Sequence, residues 1–150
     1  MDPAMELWSH LRRVTTVKFT SQSQSATGWI GLGSGIVSVE SPALNVLLFN
    51  ESGTWQPNRG KETRFTNVFR WTQLGAESIR LEHLRFGPEK PVHLFDMGVQ
   101  VDGTWIPNGP HVCSEDCYVA DVMLRENGVS VRWSITGPKK KETIAYEYRF

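Results

Sequence analysis

A chain of 150 residues has room for one ordinary domain, large enough to bury roughly two thirds of the surface its unfolded form would expose. Its 16 basic and 16 acidic residues cancel, so the bulk attraction that draws basic proteins onto nucleic acid or anionic membrane is missing. The longest wholly apolar run, Val46 to Phe49, falls far short of the ~20 residues of a membrane span, and Met1-Asp2-Pro3-Ala4-Met5-Glu6 has neither the basic nor the apolar part of a secretory leader.

The first segment alone looks helical. Asp2 is a good N-cap, Pro3 suits a first helical position, and Met5, Leu7, Trp8 and Leu11 follow at helical spacing, giving a short helix with one apolar side. Everything after it reads as strand and turn: 14–20, 26–40 with a break, 44–56, 63–72, 77–86, 91–97, 99–106, 117–125, 129–136 and 139–150. Turn chemistry marks Glu51-Ser52-Gly53, Gly87-Pro88-Glu89, Asn127-Gly128 and Gly137-Pro138, with Asn127-Gly128 the strongest hairpin signal.

Two-residue alternation is clearest near the end, where Val129, Val131, Trp133 and Ile135, then Ile144, Tyr146, Tyr148 and Phe150, alternate with polar residues. Strands with one buried face pack sheet on sheet or close one sheet on itself. Short connections between many strands predict an all-β, antiparallel up-and-down barrel of 8–10 strands, with the helix plugging one end and all of 1–150 in one domain. At this size the lumen takes either side chains or one small ligand.

Several polar residues fall on stripes that a barrel turns inward. His83 and Arg85 continue the stripe of Ile79 and Leu81; Asn67 lies on that of Phe69 and Trp71; Asp96 follows Val92 and Leu94. Such groups cannot be buried unpaired, so they meet each other, as in a pair of Arg85 with Asp96, or water, or a ligand. Arg80 and Glu82 read as neighbours on the solvent face. An inward arginine inside an apolar wall suits an anionic head group.

The densest cluster of reactive side chains is 110–118, where His111, Cys113 and Asp116 permit a nucleophilic or acid–base site. Cys113 and Cys117 bridge only if the chain turns between them, and neither their spacing nor the four histidines make a zinc pattern. Gly31-Leu32-Gly33-Ser34-Gly35 lacks a phosphate-loop pattern and a following helix, and is read as a bend in a curving sheet. No cofactor motif is legible. The pattern G-T-W-x-P-N occurs at 53–58 and 103–108; either both are strand ends entering a turn, or Trp55 and Trp105 flank one mouth of the barrel and meet a ligand or partner.

The stretches Asn67-Val68-Phe69-Arg70-Trp71, 79–88, Pro91-Val92-His93-Leu94-Phe95-Asp96, His111-Val112-Cys113 with Asp116 and Tyr118, and 133–140 resemble an uncharacterised family of fungal and bacterial proteins with a calycin or lipocalin-like barrel. The resemblance covers about 63–150. It departs at Ser114, where the family has glycine, and at Lys141-Glu142, where the family has an acidic residue and an aromatic. It implies the fold, no activity, and motif positions for Arg70, His83, Arg85, His111, Cys113, Asp116 and Tyr118.

Together these readings predict a cytoplasmic small-molecule binding protein whose ligand is partly apolar and anionic. Phe69, Trp71, Trp133, Tyr146 and Tyr148 supply apolar walls, and Asn67, Arg70, His83, Arg85, Asp96 and Tyr118 the polar contacts. The alternatives are a lyase, isomerase or hydrolase-like enzyme using His111, Cys113 and Asp116, and a protein-interaction module. Neither a nucleic-acid partner nor a membrane span is expected, and oligomerisation is left open.

Overall fold

The computed structural model describes residues 1–24, 30–109, 111–113 and 115–150, with the side chains of 111–113 left out of the description. Helix α1 (Pro3–Leu11) starts where the sequence places it: Asp2 is the N-cap, and its Oδ1 accepts the backbone N–H of Met5 at 2.8 Å. Its buried side is Ala4, Leu7, Trp8 and Leu11, whereas Met5, expected on that side, is 51% exposed.

The strands are β1 (Thr16–Ser23), β2 (Gly31–Ala43), β3 (Val46–Pro57), β4 (Thr63–Gly75), β5 (Ser78–His83), β6 (Val92–Val99), β7 (Trp105–Pro107), β8 (His111–Cys113), β9 (Asp116–Arg125), β10 (Gly128–Thr136) and β11 (Lys141–Arg149). Among the described residues, all but β8 form one closed, antiparallel, up-and-down ring of ten strands. Consecutive strands pair from β1 to β7, β7 meets β9, and β11 returns to β1 with Thr16 opposite Arg149. The short β8 pairs with β9 alone, at the side of the ring.

Three local readings are corrected. Glu51-Ser52-Gly53 is no turn but the middle of β3, paired residue for residue with both neighbours. The hairpin between β9 and β10 exists, but Gly128 pairs with Arg125, so its two loop residues are Glu126 and Asn127. Gly128 is there for close approach, since a Cβ would run into the Tyr148 carbonyl. The strand expected over 99–106 is a turn through 100–103 that reaches strand only at Trp105.

Alternation sets which side chains enter the lumen, and the two ends of the lumen are filled differently. Around α1 the core is dense: Leu7, Leu11, Leu47, Ile79, Met97 and Trp105 are each at most 1% exposed. The helix is tied to the β4–β5 turn by Ala4 N–H donating to the Ala76 carbonyl at 3.0 Å, and Arg12 reaches the Leu44 carbonyl in the β2–β3 turn. This end is closed. Trp55 belongs to the opposite end, while Trp105 stands beside the 100–104 loop near the helix. They stand at opposite ends, so they do not flank one mouth.

Candidate functional site

At the end away from the helix lies an open cavity of about 470 Å3, between β1, β3, β4 and β11. Its walls are Phe19, Trp55, Phe65, Ile144 and Tyr146, and its polar contributors are Ser21, Thr63, Arg64, Asn67 and Glu142. The rings form an ordered stack. Phe19 lies 5.6 Å from Trp55 at 10° and 5.0 Å from Tyr146 at 29°, with Phe65 edge-on at 5.2 Å.

Glycine makes that stack possible. On β2 the inward position opposite Phe19 is Gly33, where a Cβ would fall inside the Phe19 ring. The ring therefore lies flat against the sheet and leaves the lumen clear. Gly35 and Gly53 face each other across β2 and β3, and a Cβ on either would strike the neighbouring backbone, so the sheet coils tightly here. The glycine-rich segment is thus the bend that its composition suggests.

Glu51 is level with the deepest β4 residue of the cavity, Asn67, its partner across β3 and β4. It is 2% exposed. Its Oε2 accepts the Tyr148 hydroxyl at 2.6 Å, while Oε1 is buried with no partner among the described residues. Burial pushes the carboxyl up to about 7, against the opposing pull of the Tyr148 hydroxyl and the Asn67 amide. The Tyr146 and Tyr148 hydroxyls are both held above their ordinary range, by burial first and then by the charge of Glu51.

The residues expected at the site divide by sheet face. Asn67 and Tyr146 line the cavity; Tyr148 is buried beside Tyr146, whose ring stacks on it at 5.8 Å. Phe69 and Trp71 are buried lumen residues, and Tyr118 and Trp133 pack half-buried against the same core, Trp133 lying 5.3 Å from Phe95. His83 is half-buried at the open end of β5, stacked 4.8 Å from Phe69. Burial lowers its pKa, and the nearby Arg85 charge adds to this, favouring the neutral imidazole.

Three residues expected to contact the ligand lie elsewhere. Arg85 follows the end of β5 and is exposed, its guanidinium 5.5 Å from the Phe86 ring, because the strand stops at His83 and alternation stops with it. With His83 and Asn67 it borders a notch of about 480 Å3 between β4 and β5. Arg70 points to the outer face, where it meets Glu82 at 2.9 Å. Asp96 is also outside: a register shift in the β5–β6 pairing, between Leu81 and Glu82, breaks the alternation that had put Asp96 with Val92 and Leu94. It holds Arg80 at 2.8 and 3.1 Å and His93 at 3.0 Å. Arg80 and Glu82 share the outer face, but Glu82, expected in solvent, is buried there, and the two pair across strands with Asp96 and Arg70.

Asp116 packs against Gly137 and lies 3.7 Å from the Lys140 ammonium, which ties it to the lysine turn. The side chains of His111 and Cys113, the other members of the proposed nucleophilic cluster, lie outside the described residues; the Cys117 thiol is free. Among the described residues, no three His, Cys, Asp or Glu side chains converge as metal ligands would.

Phe19 and Phe65 in the cavity wall, and Glu51 just behind it, are the residues that sequence reasoning passed over, whereas Trp55 is one of the two tryptophans that the sequence suggests at a mouth. The signal for Glu51 was present: Leu47, Phe49, Glu51, Gly53 and Trp55 alternate as one stripe with a carboxylate at its centre.

The chain belongs to the family of unknown function DUF6314, whose model matches residues 7–150. No curated protein matches it. Among solved structures it is similar to a de novo designed fluorescence-activating β-barrel, with a TM-score of 0.43 and 12% sequence identity over 95% of this chain and 97% of that one. No helix among the described residues is long and apolar enough to cross a membrane.

Proposed function

We propose that the barrel binds a small, partly apolar molecule, taken up at the open end and held between the aromatic walls. The observation that carries this reading is the cavity of about 470 Å3, lined by a stack of aromatic rings with a few convergent polar groups. That balance of apolar wall and sparse polar contact is how small-molecule sites are built. The ring stack favours a flat ligand body.

The anionic character expected of the ligand depended on an inward arginine. Arg85 is exposed and Arg70 is paired outside. The arginine that borders the cavity is Arg64, near the start of β4, with Glu142 also in the lining. An anionic group would be met there and not in the depth, where the walls suit an apolar body.

Calorimetric titration with 2-naphthalenemethanol, a flat neutral probe, tests it. Wild-type protein should bind one equivalent, and Ile144→Trp, which fills the cavity from a half-buried position on β11, should abolish the heat while leaving the far-ultraviolet circular dichroism unchanged. Equal binding by the two proteins would remove this cavity from the function.

A further inference from the structure

We propose that Glu51 selects the ligand, and that it selects a protonatable nitrogen: an amine, amidine or imidazole carried on a flat apolar body. The inference rests on the cavity reading above and adds the polar half of the ligand's chemistry.

Three observations carry it. Glu51 is 2% exposed, yet Tyr148 is the one described group that makes a full hydrogen bond to its carboxyl; Oε1 has none, the Asn67 amide standing near the carboxyl without closing a bond to it. Ionised, Oε1 lacks a donor; protonated there, it lacks an acceptor. A buried carboxyl with a lone unpaired oxygen is costly in either state. A ligand ammonium or N–H would relieve that cost, because a charge-assisted hydrogen bond to a dry carboxylate is stronger than one in water.

The second observation is position. Glu51 is level with Asn67 and lies just behind the lining at the inner limit of the cavity, and the next inward residue of β3 toward the mouth is Gly53, so β3 itself places no side chain between the two. The third is the surrounding chemistry. Tyr148 already supplies the other oxygen with a hydrogen bond, and Asn67 presents an amide beside it. The carboxylate is thereby oriented before a ligand arrives, and no described cation is paired with it.

A matched set of probes isolates the contribution of the nitrogen: 2-naphthylmethylamine, 2-naphthalenemethanol and 2-naphthoate, titrated calorimetrically into the intact chain at pH 7.5. Wild type should bind the amine at least about tenfold more tightly than the alcohol, the size expected of one charge-assisted hydrogen bond, and the naphthoate most weakly. Glu51→Gln, which keeps the shape, should bring the amine down to the level of the alcohol without weakening the alcohol itself. Tyr148→Phe should retain the amine preference, since it leaves the carboxylate in place. Alcohol and amine binding equally to wild type would overturn the assignment of Glu51 while the cavity reading stands, as would an amine preference that survives in Glu51→Gln. Failure of all three probes to bind wild type would overturn both.

Discussion

The two ends of this barrel are made of the same alternating strands and are filled in opposite ways. Near the helix the lumen is packed with Leu47, Ile79, Met97 and Trp105, sealed by Leu7 and Leu11; near the mouth, glycines replace inward side chains on β2 and β3, and the rings of Phe19 and Trp55 lie against the wall. A strand therefore specifies only which face is inward. Whether the interior becomes core or cavity is decided by side-chain volume, position by position.

The comparison is most directly broken by truncating one large residue in each half. Trp105→Ala should cost about 3–5 kcal/mol, enough to unfold much of a marginally stable population. Phe65→Ala at the mouth should cost only about 1 kcal/mol, the worth of its edge contact with Phe19. Denaturant melts of the two variants measure this, and equal losses would mean that the mouth is as tightly packed as the base.

Glu51 sits where the two halves meet and should make stability depend on pH. Its carboxyl rises from an ordinary 4.5 to about 7 on folding, so between those values the folded chain holds a proton that the unfolded chain has released. Stability contributed in this way is complete below 4.5, falls as pH rises through 7 and is gone above it, on the order of 3 kcal/mol in all. The titratable groups facing it, Tyr146 and Tyr148, stay protonated across that window. Glu51→Gln should therefore be the more stable protein at pH 8 by about 1–3 kcal/mol and nearly equal to wild type at pH 4.5. A variant less stable than wild type at pH 8 would show that the carboxylate is better compensated than its unpaired oxygen indicates.

Smaller effects test the closed end and the outer wall. Asp2→Ala removes the cap of α1 and should cost about 1 kcal/mol, read as a drop in melting temperature. Asp96→Asn should cost less than about 1 kcal/mol, because its pairs with Arg80 and His93 are partly exposed and so screened by solvent. Its carboxyl is held down to about 2 by Arg80 first and His93 after it; that small contribution is present above pH 4 and fades as pH falls toward 2.

The barrel and its helix were legible because alternation and capping are local signals: Asp2 and Pro3 start the helix, and the run from Val129 to Phe150 declares its inward face without reference to any neighbour. The site was only half legible. Asn67, Tyr146 and Tyr148 followed from the same alternation, whereas Arg85 and Asp96 were misplaced because extending a stripe assumes an unbroken strand. In fact β5 ends at His83 and its pairing with β6 slips between Leu81 and Glu82. Glu51 was missed for the converse reason. Glu-Ser-Gly has the composition of a turn, and only pairing with two neighbouring strands keeps it extended.

The ring is completed by the pairing of the first strand with the last, Thr16 opposite Arg149 and Ser23 opposite Glu142. A ribosome making this chain releases every other strand of the ring before β11, so β1 waits for that last strand with an unsatisfied edge. Long-range closure of this kind makes folding slow, and trimming β11 would leave both β1 and β10 open to pairing with other molecules.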